Sequence, residues 1–342
     1  MKKKIIPLDW MRGISALFIV LFHFTTQYEL MIGHDPKWSI NFPYGSLAVV
    51  IFFLLSGFLT VFQIKDGENP VKFAIKRFLR LYPTYWVCIL ITTLVTVLFM
   101  PTLAKPLKTI LINLSMLQSF LNVESVDGVY WTLAYELRFY LYIFIVLLIK
   151  KERHLSIFLF AWLIIAISSI CIPDQGIFHY YKSGIELVFM SSRAAQFACG
   201  GFIALLLTDK KNYLCYCGIV LCILLQILIG GEGELIFLIC GAMILVLGIL
   251  LSKRIEESKK KWPKAIMLSH NAISFLATIS YPLYLLHQYI GRTITYHLQL
   301  AGFGGEEYIF IPMAIVLLLA WYVHRFVEKP ITKVSNRLLS KL

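Results

Sequence analysis

Apolar residues run through this chain in continuous blocks separated by short polar segments; they do not alternate with polar ones. Blocks of about 17 to 22 residues have the length of a helix that crosses a bilayer, and they are too uniform for the strands of a membrane barrel. They predict ten spans, near residues 13–30, 45–64, 81–100, 131–149, 155–172, 186–207, 213–229, 234–252, 270–290 and 308–326. The expected fold is an all-α integral membrane protein, a polytopic bundle of about ten transmembrane helices. A further apolar run at 110–122 is read differently. Counted as a span, it would turn Lys150, Lys151 and Arg153 outward and invert every later loop. The stretch 101–130 is therefore expected to be an outer re-entrant or interfacial segment, a conformation tolerated at depth only where protein or a water-filled cavity covers it.

Composition agrees with this pattern. Of 342 residues, 59% are hydrophobic and 15% charged, and the mean hydropathy is +0.76, which excludes a soluble globule. The formal net charge of +13 raises the question of nucleic acid. Its placement answers it: Lys and Arg concentrate in the segments that a cytoplasmic amino terminus puts inside, so orientation and contact with anionic lipid account for the charge. Both termini are expected in the cytoplasm, and nucleic acid is not expected as a partner. The first span has no small-residue cleavage site behind it and is read as retained. The seven cysteines lie in or near apolar spans without a Cys-x-x-Cys pair and read as small core hydrophobes.

Polar residues inside such blocks are functional hypotheses by default. The first block carries Arg12 at its start and His23 in its interior, eleven residues or roughly 16 Å apart along a helix. One can therefore stand at the cytoplasmic interface and the other near mid-membrane. The segment VKFAIKRFLRLYPTYW puts Lys76, Arg77 and Arg80 on a turn before the third span; 77 and 80 share a helical face, and paired guanidinium groups suit a phosphate. Snorkelling to lipid phosphates is the alternative. The fourth span holds Glu136 and Arg138 beside Trp131, Tyr135 and Tyr140, toward the outer side. A structural ion pair of Glu136 with Arg138 or Arg193 is the competing reading. In the ninth span, SYPLYLLH places Pro282, expected to bend the helix, ahead of His287, which lies near the depth of His23 and Glu136. A hydrogen-bonded core histidine remains open there, and no metal-ligand spacing accompanies it. Ser56 and Gly57 interrupt the second span and read as a packing contact.

Taken together, these stretches resemble the acyltransferase 3 family of bacterial membrane O-acyltransferases, which includes O-antigen and exopolysaccharide acetylases. LDWMRG followed by His23 is similar to the family's basic residue, ten spacers and histidine; RFLRLYP to its Arg-x-x-Arg motif; YWTLAYE to its Trp-Ser-Leu-x-x-Glu segment. FFLLSGF, SYPLYLLH and FVEKP at 326–330 resemble its other landmarks. Thr132 stands where serine is usual, and Trp10-Met11 replace smaller or aliphatic residues. Many relatives append an SGNH-type hydrolase domain, and a stand-alone form is expected here, with residues 1–342 as a single membrane acyltransferase domain.

The resemblance implies transfer of an acyl group, most often acetyl, from cytoplasmic acyl-CoA to a hydroxyl of an extracytoplasmic glycan or lipid-linked sugar, in the bacterial inner membrane. Acyl-CoA is then a co-substrate and no permanently bound cofactor is expected. Arg12, Arg77 and Arg80 would hold the CoA phosphates, His23 would act as general base or nucleophile, and Glu136 would orient it or bind sugar hydroxyls. Trp131 and His287 would support the acceptor side. The alternative is a transporter or flippase for a lipid-linked glycan, since charged groups also line translocation paths. The acceptor and the oligomeric state are left open by the sequence.

Overall fold

A computed structural model describes residues 5–173, 175–209 and 211–340. Among the described residues the chain is helical, without strands. The long helices are α1 (Ile6–Phe24), α3 (Ala48–Phe62), α4 (Pro70–Phe99), α6 (Trp131–Leu148) and α7 (Leu155–Ile170), with short α2 (Thr26–Met31) and α5 (Leu107–Asn113) between them. There follow α8 (Ile177–Phe189), α9 (Ala194–Thr208), α10 (Tyr213–Ile229), α11 (Glu232–Ser258), α12 (Lys264–Leu300), α13 (Phe310–Val323) and α14 (Lys329–Leu339). Eight helical stretches among the described residues are long and apolar enough to cross a membrane. The two remaining expected spans fall on α10, a shorter apolar helix, and on the middle of α12. The protein is an all-α, multi-pass membrane protein. Most of the 101–130 stretch forms no span; it folds as a 3₁₀ turn (Pro101–Leu103), α5 and irregular turns, and a second 3₁₀ turn, Gly128–Tyr130, leads into α6.

Two expectations are refined. The block at 186–207 is interrupted: α8 ends at Met190, whose left-handed φ of 51° breaks the helix before α9 begins at Ala194. Pro282, expected to bend the ninth span, lies inside α12, whose 37 residues run through it without a break.

The described residues form two compact units. The first gathers residues 5–8, Val49–Ala74 and Tyr135–Lys260. At its centre is α9, buried at every position from Ala194 to Ala204. The reason is small side chains: a Cβ on Gly57 would sit 2.0 Å from the Phe197 carbonyl oxygen, and one on Gly200 would sit 2.0 Å from that of Leu54. Glycine therefore lets the α3 and α9 backbones touch, which confers packing where hydrocarbon surroundings give no hydrophobic drive for association. Phe53, Phe197 and Phe139 stack alongside, with ring centroids 4.7 and 4.8 Å apart.

The second unit gathers Asp9–Ala48, Ile75–Ala134 and residues 261–340. Its axis is α12, roughly 55 Å long at 1.5 Å per residue. The first helix runs beside it in the same direction, brought close at Gly13, where a Cβ would meet the Ile273 carbonyl oxygen at 2.4 Å. The segment 127–132 clasps α12 from another side. Tyr130 Oη donates to the Leu285 carbonyl at 3.1 Å, while Asp127 accepts from the backbone N–H of Tyr289 at 3.1 Å and from that of Val129 at 3.2 Å. The stretch before it is anchored to α4, through Tyr82 to the Ser115 carbonyl and Trp86 to that of Leu114. At the far end, FVEKP falls on a π-helical turn, His324–Glu328, closed by His324 Nδ1 and Glu328 Oε2 at 2.7 Å. Pro330 has no N–H to offer the Phe326 carbonyl, which removes one α-helical bond at this step.

Candidate functional site

The second unit brings two expected site residues into contact. His287 Nε2 lies 3.2 Å from His23 Nδ1, and the rings meet edge to face at 4.8 Å between centroids. Parallel packing of α1 on α12 sets this register. His287 is fully buried, whereas His23 is partly accessible.

The partners of the pair fix its protons. His287 Nδ1 stands 2.9 Å from the Tyr284 carbonyl oxygen and 3.1 Å from that of Leu283. Carbonyl oxygens only accept, so this nitrogen carries the hydrogen, and in the neutral ring Nε2 is left as an acceptor. His23 Nδ1 faces that acceptor and, at 2.8 Å, the Ile19 carbonyl oxygen, so it also carries its hydrogen. The lone pair of neutral His23 is then on Nε2. Such an imidazole can take a proton at Nε2 and, once charged, still donate from Nδ1 to two acceptors.

Two further rungs continue from the pair along the same helices. Gln288 Nε2 donates to Gln27 Oε1 at 2.8 Å, and Arg292 Nη2 donates to Met31 Sδ at 2.8 Å. Positions 23, 27 and 31 succeed one another at four-residue steps, so the three contacts form a ladder leading away from Arg12. Gln27, Gln288 and Arg292 were not anticipated from sequence. A legible signal exists in hindsight: each glutamine stands within about one turn of a histidine already singled out, and Arg292 one turn beyond Gln288.

In the opposite direction, Arg12 Nη2 donates to Ser280 Oγ at 3.2 Å, and the next residue, Tyr281, donates from Oη to the Leu81 carbonyl at 3.0 Å. Arg80 adjoins Leu81 and is exposed, while Arg77, one turn earlier, is buried at 5%. Arg12 and Leu81, the neighbour of Arg80, are thus tied to successive residues of α12. Below them Trp10 Nε1 donates to His270 Nδ1 at 2.9 Å, with Trp262 against both rings. Trp131, the first residue of α6, belongs to the same unit.

Glu136 belongs to the other unit, where it accepts from Ser56 Oγ at 3.2 Å and from Tyr140 Oη. Ser56, read from sequence as a packing residue, therefore also holds a carboxylate. The arginines considered as its ion-pair partners have contacts of their own: Arg193 pairs with Glu234 at 2.7 Å, and Arg138 donates to the Leu187 carbonyl at 2.7 Å with its guanidinium over the Tyr135 ring.

Comparison with known proteins places the chain. The family described as acyltransferase domain matches residues 5–335. The peptidoglycan O-acetyltransferase OatA of Listeria monocytogenes serovar 1/2a is 23% identical over 97% of this chain and 56% of its own length. Protein 2 in the picA locus of Rhizobium radiobacter is 40% identical over 24% of this chain and 41% of its own. The acyltransferase MdmB of Streptomyces mycarofaciens is 31% identical over 28% and 27%. The chain thus spans little more than half, or less, of the length of these curated relatives. No solved structure matches it.

Proposed function

The chain belongs to the acyltransferase 3 family, and from that premise we propose that it transfers an acyl group, acetyl in the first instance, from cytoplasmic acyl-CoA to a hydroxyl of an extracytoplasmic glycan or lipid-linked sugar. The observation that carries this reading is the His23–His287 pair, whose hydrogen bonds leave the Nε2 lone pair of His23 available. The acceptor hydroxyl gives its proton to His23 Nε2 as its oxygen attacks the thioester carbonyl. The thiolate of CoA leaves as the tetrahedral intermediate collapses and takes that proton back. His287 acts through His23: it holds the ring in one tautomer and accepts from Nδ1–H while the imidazolium exists.

The three arginines support the donor side. Arg12, Arg77 and Arg80 supply guanidinium forks, which match phosphate oxygens bidentately, and CoA carries three phosphates to be held. His23 lies about 16 Å along α1 from Arg12, so a donor held by its phosphates must reach inward with an extended arm. Pantetheine is such an arm. Orientation follows from charge: with both termini in the cytoplasm of a bacterial inner membrane, the arginines face inside and His23 faces the outer half.

Reconstituted protein supplied with labelled acetyl-CoA on one side and glycan on the other tests the assignment. Label is expected in the glycan, and lost in His23→Ala. Glycan crossing intact without acquiring label would sink the transferase reading.

A further inference from the structure

Beyond the histidine pair, on the side away from Arg12, lie two polar groups that the mechanism above does not use. Gln288 is 5% exposed, and its Oε1 is buried without a hydrogen-bond partner, although its Nε2 is held by Gln27. Arg292 is 7% exposed. Of its five N–H donors, the one bonded among the described residues goes to Met31 Sδ, a weak acceptor, and the guanidinium rests 5.3 Å from the Tyr289 ring centroid. The acids near this part of α12 and α2 are already engaged. Both oxygens of Asp127 accept from backbone N–H groups, and Glu29 Oε2 accepts from the His34 backbone N–H and contacts its ring.

A buried guanidinium is ordinarily matched by a carboxylate or phosphate, and a buried amide oxygen by a donor. Here one turn of α12 presents an amide oxygen without a donor and a guanidinium without a hydrogen-bonded anion among the described residues, since Asp127, whose oxygens are taken by backbone N–H groups, acts on Arg292 only through space. The two lie about 6 Å apart along the axis, next to the imidazole that would activate a hydroxyl. We propose that Gln288 and Arg292 form an acceptor subsite for an acidic sugar, with a sugar hydroxyl donating to Gln288 Oε1 and a carboxylate or phosphate of the same unit held by Arg292. A neutral sugar satisfies the amide and leaves the guanidinium on a thioether. Only an anionic one satisfies both. This assignment rests on the acyl-transfer reading for its relevance to catalysis, but binding measures it independently.

The test uses the full chain in nanodiscs and three probes: methyl glucuronide, methyl glucoside 6-phosphate and neutral methyl glucoside, titrated calorimetrically. At least a tenfold tighter binding of one or both acidic probes over the neutral one is expected, and whichever binds tighter names the anion. Arg292→Gln should abolish that preference, and Gln288→Leu should weaken all three while keeping it. In the unsubstituted protein, inorganic phosphate should compete with the acidic probes and leave the neutral one unaffected, a readout that needs no variant to fold. Equal affinity for charged and neutral probes, or a preference that survives Arg292→Gln, overturns the subsite. Acetyl transfer without charge selectivity would remove the subsite and leave the transferase; charge-selective binding without transfer would do the reverse.

Discussion

His287 Nε2 stands 3.2 Å from His23 Nδ1 across the contact between α12 and α1, and the hydrogen on His287 Nδ1 is committed to backbone carbonyls one turn away. The outer ring is thereby a fixed acceptor for the inner one. His23→Ala is expected to lower the turnover of acetyl transfer by about 10²–10⁴-fold, the range of a lost general base. His287→Ala removes one hydrogen bond to a charge, worth about 1.5–3 kcal/mol and thus roughly tenfold to a hundredfold in kcat. His287→Gln, whose Oε1 can accept from His23 Nδ1–H, should recover part of it. Unchanged KM for acetyl-CoA in both His287 variants distinguishes positioning from donor binding, and steady-state kinetics with labelled donor reads it.

Arg12 bonds Ser280 and the next residue of α12, Tyr281, bonds the Leu81 carbonyl, beside Arg80 and about one turn from Arg77. Arg77→Ala and Arg80→Ala should raise the KM for acetyl-CoA by roughly tenfold or more each, as expected for a lost charge-assisted hydrogen bond of about 1.5–3 kcal/mol. Replacement by lysine keeps the charge and loses the fork, so it should restore binding only in part. An unchanged donor KM in both alanine variants would remove the phosphate role.

Packing in the first unit gives a test independent of catalysis. A Cβ on Gly200 meets the Leu54 carbonyl oxygen at 2.0 Å, and backbone cannot yield as a side chain can. A Cβ on Gly184, within α8, meets nothing within 4 Å. Gly200→Ala should destabilise by about 1–3 kcal/mol through overpacking, and Gly184→Ala should stabilise by about 0.5–1 kcal/mol through reduced backbone entropy of the unfolded chain. Thermal unfolding in detergent orders the two variants on opposite sides of the unsubstituted protein.

Asp127, in the loop before the fourth span, is completely buried, and burial raises its carboxyl from 3.8 to about 7 against two backbone N–H donors that favour the charged form. Between those values the folded protein keeps a proton that the unfolded chain has released, so stability falls as pH rises from about 4 to 7 and the loss is complete above 7. Asp127→Asn keeps an acceptor for one of the two N–H groups, loses the other at a cost that does not depend on pH, and has nothing to ionise. Its melting temperature, relative to the unsubstituted protein, should therefore rise between pH 5 and pH 8. A difference independent of pH would show that Asp127 does not titrate in this window.

Much of the fold is legible in short windows of sequence. Hydropathy over about twenty residues determined that the chain is helical and crosses a membrane many times, because a bilayer demands both length and internal hydrogen bonding. Each of the ten expected spans falls largely on helix, the one at 186–207 broken between α8 and α9, and the stretch 101–130 contributes only its last three residues to a span. The residues Arg12, His23, Arg77, Arg80, Glu136, Trp131 and His287 stood out because charged and polar groups are expensive in hydrocarbon. What those windows do not contain is rotation and register. His23 and His287 lie 264 positions apart and meet because Gly13 lets α1 close on α12 in one alignment. The same alignment sets Gln27 on Gln288 and Met31 on Arg292, contacts that no short window holds. Glu136 took Ser56 and Tyr140 as partners, and α8 separated from α9 at a left-handed Met190. The sequence by itself determined that these groups must be satisfied; only close packing between distant helices decided by what.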